Sequence, residues 1–338
     1  MIIDSERIPL SPSKIDLVPI DTIRPVWSVM IPVYNCIGYI EKTLNSVLRQ
    51  DLGPDKMEIV VIDDCSTDGD VAELVEKIGG SRVRYFKQKT NLGHMRNFDT
   101  CINLAKGHYV HILHGDDEII DGYYKEIESL FTEYPSIGAA FVEYEYMNAK
   151  SEKIWSHQKL STHKGILPDF LTTIAENQRL QYCCITVKRS TYEQLGGFYG
   201  SAFCEDWIMW ARIAASFEVA YSPNVLALYR VFLGNMTNSS LVSGEAFKGV
   251  LKGLEIIATF LPEKNKEKIM ATSKKNIAET FSRHSHKIYH EMNNASTGLK
   301  QSYKALVLYP NGVTIKNSLL LILKTMVGYR KLKSYLKS

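Results

Sequence analysis

Between residues 26 and 113, short apolar runs alternate with stretches in which apolar residues recur at helical spacing. The apolar runs lie at 26–33, 57–62, 83–86 and 109–113, and the helical patterns at 39–48, 71–78 and 95–105. Such alternation predicts βαβ units, in which strands buried on both faces form a parallel sheet flanked by helices. We therefore expect an α/β fold built on a mostly parallel, Rossmann-like sheet.

The flanking parts of the chain have different patterns. Residues 1–25 are polar and contain four prolines, so we expect an extended arm. Further predicted strands lie at 139–146 and 182–187, and further predicted helices at 189–195 and 206–215. From about residue 241 the pattern is helical, with breaks near Pro262, Gly298 and Pro310. The sequence thus predicts an arm over 1–25, an α/β domain over 26–240 and a helical region over 241–338.

Composition and charge narrow the class of protein. Of 338 residues, 45% are hydrophobic and 23% are charged, as is typical of a folded globular protein. Forty Lys and Arg against 37 Asp and Glu give a net charge of +3, which is too balanced to indicate nucleic-acid binding. The N-terminus lacks a signal-peptide pattern, and no apolar stretch reaches the roughly 18 residues of a spanning helix. We therefore expect a cytoplasmic protein.

Acidic residues occur as adjacent pairs at three predicted element ends: Asp63-Asp64, Asp116-Asp117 and Glu205-Asp206. Two of these pairs end predicted parallel strands, which is the edge where open α/β sheets bind ligands. Adjacent carboxylates repel each other unless a cation or hydrogen bonds compensate. A divalent metal with a phosphate-bearing substrate would suit them. Neither G-x-G-x-x-G nor a P-loop motif is present, which disfavours a dehydrogenase or a P-loop NTPase.

Five segments together resemble family 2 glycosyltransferases, in the order and at the separations usual for that family. They are SVMIPVYN (28–35), VIDDCSTDG (61–69), NLG (91–93) with Arg96 and Asn97, LHGDD (113–117) and EDW (205–207). The resemblance covers about residues 26–232. It implies a GT-A fold, a nucleotide-diphosphate sugar donor, a divalent Mn²⁺ or Mg²⁺ ion and inversion at the anomeric carbon.

The resemblance also assigns donor-side residues. Pro32 and Tyr34 match the loop that packs against the base of the donor, and Asp64 matches the residue that binds uracil and ribose. Arg96 matches a basic residue that closes the nucleotide side. Asp117 is expected to cap the following helix or to contact a sugar hydroxyl. UDP is the expected nucleotide, because a carboxylate accepts the imide N–H of uracil; thymine presents the same edge, and GDP is a less favoured alternative.

The remaining assignments concern the reacting groups. Asp116 matches the last acid of the family's DXD motif, which binds the metal that bridges the phosphates, and His114 replaces the first acid. His114 is therefore a candidate metal ligand or a residue that only fills space. Asp206 matches the catalytic base. Glu205 and Trp207 beside it are candidates for acceptor contact, since aromatic rings stack on sugar faces.

A second departure from the family lies at residue 232. Many relatives have a histidine at about this position, whereas this chain has Phe232. Arg230 is a candidate for diphosphate contact, and a structural salt bridge is an equal alternative.

The last segment, IKNSLLLILKTMVGYRKLKSYLKS (315–338), combines an apolar stripe with a basic end. Such a helix either lies on an anionic membrane surface or packs on the rest of the protein. The sequence does not indicate an oligomeric state.

The expected function is therefore inverting transfer of a sugar from a nucleotide-diphosphate donor to a glycan or lipid-linked acceptor, in bacterial surface polysaccharide synthesis. Two alternatives remain open. One is a sugar nucleotidyltransferase, although residues 32–35 do not form the glycine-rich phosphate loop expected of it. The other is a non-catalytic nucleotide-sugar-binding protein, which the departures at His114 and Phe232 would suit.

Overall fold

The computed structural model describes residues 7–232, 240–241 and 243–328. Contacts group the chain into two compact units, one formed by residues 1–171 and 179–232 and the other by residues 172–178 and 233–338. The first unit is built on a ten-stranded sheet. The strands are β1 (Trp27–Val33), β2 (Met57–Asp63), β3 (Val83–Lys87), β4 (Tyr109–Ile112), β5 (Glu118–Ile119), β6 (Ala139–Met147), β7 (Lys153–Ser156), β8 (Gly165–Ile166), β9 (Ile185–Lys188) and β10 (Val219–Arg230). Eight of them lie in the order β3-β2-β1-β4-β9-β6-β10-β5, and the other two, β7 and β8, pair with β6 and β10.

Helices follow or separate these strands. They are α1 (Ile37–Leu48), α2 (Val71–Gly79), α3 (His94–Leu104), α4 (Tyr123–Glu133), α5 (Phe170–Glu176), α6 (Arg189–Leu195) and α7 (Glu205–Ser216). The later helices are α8 (Glu245–Ile257), α9 (Glu263–His290), α10 (Ala295–Leu308) and α11 (Gly312–Met326). The predicted α/β class is confirmed.

The sheet is mixed in strand direction. The four strands β3, β2, β1 and β4 are parallel, as is the pair β6 and β10. Strand β9 runs antiparallel to both β4 and β6 and joins the two parallel parts. The short strands β5, β7 and β8 are also antiparallel to their neighbours. The predicted parallel sheet therefore describes the N-terminal half, and antiparallel strands complete the rest.

Strand β1 lies at the centre of the N-terminal half and is buried along its whole length. Trp27 at its start packs edge-on against Tyr109 of β4 and Tyr124 of α4. A strand covered on both faces is mostly apolar, and the one polar side chain of β1, Ser28, donates a hydrogen bond to the Glu58 carboxylate. Because β1 pairs with both β2 and β4, its burial holds the ends of all three strands in place. The loops that follow these strands therefore start from fixed positions.

Several elements differ from the sequence-based expectation. Helix α4 and strand β10 are not among the predicted elements. The predicted strand at 182–187 begins instead with a 3-10 turn, Tyr182–Cys184, and only β9 is extended. Gly298 lies inside α10, and the helices α9 and α10 are separated before it, at residues 291–294.

Residues 7–25 lie along the first unit through specific contacts. The Arg7 guanidinium donates to the carbonyl oxygen of Asn91 at 3.1 Å, and the Arg189 guanidinium donates to the carbonyl oxygen of Asp16 at 2.8 Å. Ile15 is buried.

Among the described residues, no helix is both long enough and apolar enough to cross a membrane.

Candidate active site

The loops after β1 and β2 are tied together by Asn35. Its backbone N–H donates to Ser66 Oγ at 3.1 Å, and its Oδ1 accepts the N–H of Thr67 at 2.8 Å. Asn35 has a φ of 51°, in the left-handed region that asparagine tolerates better than most residues. The first two predicted donor loops are therefore neighbours with a fixed relative position.

Pro32 and Tyr34 lie at the end of β1. Pro32 is buried and pairs with Ile62 of β2, and its carbonyl oxygen accepts the N–H of Gly115 at 3.2 Å. Tyr34 follows the strand, and its side chain is 51% exposed. Tyr34 therefore presents an exposed aromatic ring, whereas Pro32 mainly shapes the loop, and packing of either residue against a base remains a prediction.

The carboxylate of Asp64 organises the turn before α3. Its Oδ1 accepts the N–H of Leu92 at 2.7 Å, and its Oδ2 accepts the N–H of Gly93 at 2.9 Å and the side-chain amide of Asn91 at 3.0 Å. Burial raises the pKa of Asp64, and the two backbone N–H groups oppose that shift. A carboxylate has about four acceptor positions, so about one remains for a ligand. Contact with uracil remains a prediction, and the observed contacts give Asp64 a positioning role.

Arg96 lies in the first turn of α3. Its guanidinium donates to Ser13 Oγ at 3.1 Å and lies 3.7 Å from the carboxylate of Asp99. All three residues line a cavity of about 420 Å³. The Arg96 side chain thus contacts Ser13 of the N-terminal arm. Contact of Arg96 with the nucleotide remains a prediction.

The loop after β4 brings His114, Asp116 and Asp117 together. Each offers one ligand atom, and these atoms lie within 4.8 Å of one another. A side chain at Gly115 would displace its neighbours, because a Cβ atom there would lie 2.8 Å from Cys36 Sγ. Burial raises the pKa of Asp116 to about 6 and the pKa of Asp117 well above its usual range. The loop therefore concentrates carboxylates in a place where a cation would relieve their repulsion.

His114 is held between aromatic rings. Its ring stacks on Phe98 with centroids 5.3 Å apart and lies 4.4 Å from the ring of Tyr182. Burial lowers the pKa of His114 to about 4, although the Glu205 carboxylate acts in the opposite direction. A histidine with such a pKa is neutral at pH 7 and so has a free ring nitrogen that can bind a metal.

The donor set fits a divalent cation. His114 Nε2 and Asp117 Oδ2 are buried without a hydrogen-bond partner among the described residues. Asp117 Oδ1 already accepts the backbone N–H of Arg230 at 2.9 Å, which fixes the orientation of this carboxylate. Two carboxylates and an imidazole are ligands that Mn²⁺ accepts, with further positions left for phosphate oxygens.

Arg230 is buried, and every donor of its guanidinium is engaged. The Nε–H donates to the carbonyl oxygen of Asp116 at 2.6 Å. The remaining donors reach the Glu118 carboxylate, the Ser151 hydroxyl and the carbonyl oxygens of Asn148 and Ala149. The face of the Tyr39 ring covers the cation at 4.8 Å, and Phe232 packs on the same ring. Arg230 thus joins the acidic loop to the 148–151 turn, and a contact with diphosphate would require one of these partners to give way.

The first turn of α7 presents the third acidic pair. Asp206 is half-buried, and its Oδ1 accepts the N–H of Trp207 at 2.6 Å. Glu205 is buried, accepts the Tyr182 hydroxyl at 3.1 Å and lies 3.7 Å from His94 Nε2. Trp207 is only 2% exposed, so its ring packs inside the unit, and this burial argues against a role in stacking on an acceptor sugar.

Tyr182 connects the two acidic regions. One side of its ring contacts His114 of the β4 loop, and its hydroxyl donates to Glu205, the neighbour of Asp206. The structure therefore places the candidate metal ligands and the start of α7 around one shared side chain. The sequence offered no local signal for Tyr182, because its partners lie far along the chain from it.

A row of aromatic residues continues from this site across three strands. Tyr146 of β6 pairs in register with Tyr229 of β10 on one side and with Trp155 of β7 on the other. Tyr229 precedes Arg230, whose N–H is bound by Asp117. Trp155 is 57% exposed, and its ring lies 4.9 Å from that of Tyr146. The row thus ends in an exposed tryptophan that lies about two strand spacings, or about 10 Å, from Tyr229.

Comparison with known proteins was made on sequence and on structure. Residues 28–192 match the model of the family described as Glycosyl transferase family 2. An uncharacterized protein of Mycobacterium tuberculosis is 28% identical over 229 residues, which cover 63% of this chain and 70% of that protein. The poly(ribitol-phosphate) beta-N-acetylglucosaminyltransferase TarS of Staphylococcus aureus is 32% identical over 112 residues, which cover 32% of this chain and only 19% of TarS.

A solved structure has a similar fold. The crystal structure of residues 1–349 of S. aureus TarS in complex with UDP-GlcNAc has a TM-score of 0.61 at 20% identity. The match covers 89% of this chain and 92% of that one. At this identity the likeness establishes the fold.

Proposed function

The chain carries a family 2 glycosyltransferase domain over residues 28–192, and from this premise we propose that it transfers a sugar from a UDP-sugar to a hydroxyl group, with inversion at the anomeric carbon. The observation that supports this most is the position of Tyr182, whose ring packs against His114 and whose hydroxyl donates to Glu205. A reaction of this kind needs charge neutralisation for the leaving diphosphate and a base for the acceptor.

The loops after β1 and β2 would receive the nucleotide. Tyr34 offers an exposed ring to the base, and Asp64 holds the 91–93 turn, leaving about one acceptor position. The TarS structures with UDP-GlcNAc and with UDP support a uridine nucleotide, because their fold is similar.

A divalent ion, Mn²⁺ or Mg²⁺, would be held by Asp116 and Asp117, with His114 as a further ligand. When bound, it supplies positive charge that stabilises the diphosphate as the bond to the sugar breaks. Arg230 fixes the backbone of Asp116 and the orientation of Asp117 and thereby holds this loop in a ligand-ready shape.

Asp206 would act as the base. As the acceptor oxygen bonds to the anomeric carbon, the bond from that carbon to the phosphate oxygen breaks, and the hydroxyl proton passes to an Asp206 carboxylate oxygen. The N-terminus of α7 stabilises the negative charge of Asp206 before the proton arrives. Attack from the face opposite the leaving group inverts the configuration.

The aromatic row of Tyr229, Tyr146 and Trp155 would bind the acceptor. It lies on β10, β6 and β7, whereas the expected nucleotide loops follow β1 and β2, on the other side of β4 in the sheet. Aromatic faces suit the C–H groups of sugar rings. We therefore infer a glycan acceptor. Two further statements remain predictions from the sequence: that the protein is cytoplasmic, and that it acts in bacterial surface polysaccharide synthesis.

The test is to incubate the full chain with Mn²⁺ and a panel of nucleotide sugars, with and without glycan acceptors, and to measure release of nucleotide diphosphate. We expect release from a UDP-sugar that rises when an acceptor is added. Release of pyrophosphate would indicate a nucleotidyltransferase instead. Donor binding without turnover over a broad acceptor panel would indicate a non-catalytic protein.

A further inference from the structure

Helix α11 (Gly312–Met326) exposes its large apolar side chains. Those on one stripe occur at the spacing i, i+4, i+7, i+8 and i+11, which places them along one side of a helix. They are exposed in the structure and comprise Ile315, Leu319, Ile322, Leu323 and Met326. Leu320 and Val327 extend the exposed surface.

A different side of α11 packs, and it is mostly small and polar. Its buried residues are Thr314, Ser318 and Leu321. Ser318 Oγ lies 2.8 Å from Ser302 Oγ of α10, and Asn317 donates to Ser282 Oγ of α9 at 2.9 Å.

This orientation is the reverse of that expected of a helix in a globular protein, whose apolar side normally faces the core. The helix cannot simply turn over, because the leucines of the exposed side would then replace Ser318 where two serine hydroxyls are in contact. A capping box at Asn311 and Thr314 also fixes the first turn. The exposed apolar stripe is thus part of the folded arrangement, and an apolar surface of this extent marks an interaction site.

The charge of the surrounding sequence indicates what covers the stripe. From Met292 to Ser338 the chain has eight Lys and Arg and no Asp or Glu, although the whole chain is nearly neutral at +3. Lys316 and Lys324 lie on α11 itself. Arg330, Lys331, Lys333 and Lys337 of the predicted basic end lie outside the described residues. An apolar stripe within a purely basic segment is complementary to an anionic lipid surface.

We propose that α11 binds peripherally to an anionic membrane, with its axis parallel to the surface and its apolar stripe among the acyl chains. Fifteen residues of helix are about 22 Å long, which is shorter than the roughly 30 Å hydrocarbon core, so the helix lies in the interface and does not span it. This inference goes beyond the proposed reaction and holds for any activity of the first unit.

The experiment is co-sedimentation of the full chain, without substrates, with two kinds of vesicle. One is phosphatidylcholine alone, and in the other about a third of the lipid is phosphatidylglycerol. The test variant combines Leu319→Gln, Leu323→Gln and Met326→Gln. The control is Leu52→Gln, which removes an exposed leucine of the first unit. Circular dichroism and melting temperature verify that both variants fold, as expected for changes at exposed positions.

We expect the wild type and the control to bind the anionic vesicles, to bind phosphatidylcholine much less, and to dissociate as salt is raised. The triple variant should lose at least about tenfold in affinity for the anionic vesicles, because three apolar side chains no longer insert. Equal binding by the wild type and the triple variant would overturn the proposal. The proposal would also be overturned if the wild type were a dimer and the triple variant a monomer, because a second copy of the chain would then cover the stripe. Glycosyl transfer to a soluble acceptor is measured in a separate assay. A failure of the membrane-binding proposal can therefore be distinguished from a failure of the proposed transferase activity.

Discussion

The Arg230 guanidinium donates its Nε–H to the carbonyl oxygen of Asp116 at 2.6 Å, and its backbone N–H donates to the Asp117 carboxylate at 2.9 Å. One residue at the end of β10 therefore shapes the loop that follows β4. The acidic cluster depends on a buried cation that also holds the turn after β6.

We expect Arg230→Met to lower the free energy of unfolding by about 3–5 kcal/mol, because it leaves the half-buried Glu118 carboxylate without its ion pair and several carbonyl groups without a donor. Urea denaturation with circular dichroism measures this change. Arg84→Met is a matched control, since Arg84 pairs with Glu58 at the surface. If Arg230→Met instead kept full stability and lost only UDP affinity, Arg230 would be a diphosphate ligand and not a structural residue.

Asp206→Asn should reduce transfer by about 10²–10⁴-fold, because an amide cannot accept the acceptor proton. Donor affinity should stay unchanged, since the substitution keeps the shape of the side chain. Initial rates of UDP release report the first effect, and titration calorimetry with the UDP-sugar reports the second. A loss of donor affinity as large as the loss of rate would contradict the role of base.

Asp116→Ala should remove the dependence of UDP binding on Mn²⁺, because one of the carboxylates that would hold the ion is lost. Calorimetric titrations of UDP with Mn²⁺ and with a chelator measure the dependence. Asp121→Ala serves as the control, because Asp121 is an exposed acid that pairs with Arg49 at the surface. Unchanged Mn²⁺ dependence in the Asp116 variant would exclude Asp116 as a ligand.

Trp155→Ala should raise the KM for a glycan acceptor by about 5–50-fold while leaving the affinity for the UDP-sugar unchanged, since loss of one stacking aromatic ring costs about 1–2 kcal/mol. Ile154→Ala is the matched control, because Ile154 is an exposed residue of the same strand that points to the other face. If the two substitutions raised the KM for the acceptor equally, the Trp155 ring would have no specific role in acceptor binding, and β7 would contribute only through its backbone.

Stability should fall as the pH is lowered from 7 to 5, partly because of His111. Its ring is buried in β4 against Tyr123, and burial lowers the pKa of His111 to about 3. The unfolded chain takes up a proton near pH 6.5 and the folded chain does not, so unfolding becomes easier below that pH. The loss is about 2 kcal/mol between pH 7 and pH 5 for one such histidine. Denaturation curves for the wild type and His111→Gln at both pH values measure it. The variant should show a smaller pH dependence, and an unchanged slope would contradict the assignment.

The N-terminal half of the fold could be predicted from the sequence because its strands are buried on both faces. Strands β1, β2 and β4 are mostly apolar, with Ser28, Glu58 and His111 as polar residues inside them, and polar residues follow within two positions of each strand end. The acidic pairs after β2 and β4 therefore took their correct places at the strand ends without knowledge of tertiary contacts.

Other elements carried no readable pattern. The register of β10 shifts between Ser222 and Val225 and again before Ala227, which breaks the alternation that identifies a strand. Gly298 predicted a break, but the residue allows close packing, because a Cβ atom there would lie 2.9 Å from the Ser285 carbonyl oxygen of α9. A glycine that ends a helix and one that lets two helices approach look alike in a sequence.

The site contacts were predictable only in part. The residue types at positions 114, 116, 117, 205 and 206 were identified from the motifs, whereas their partners were not. Phe98 and Tyr182 around His114, and Glu118 beside Arg230, come from distant segments. Such pairs depend on how the sheet is assembled, and a local pattern does not record them.

The link that Asn35 makes between the loops after β1 and β2 has a consequence for nucleotide affinity. Because one amide side chain and its own backbone N–H join both loops, the surface is already ordered before a ligand arrives. A nucleotide that binds there spends little of its interaction energy on fixing the backbone, and more of that energy appears as affinity.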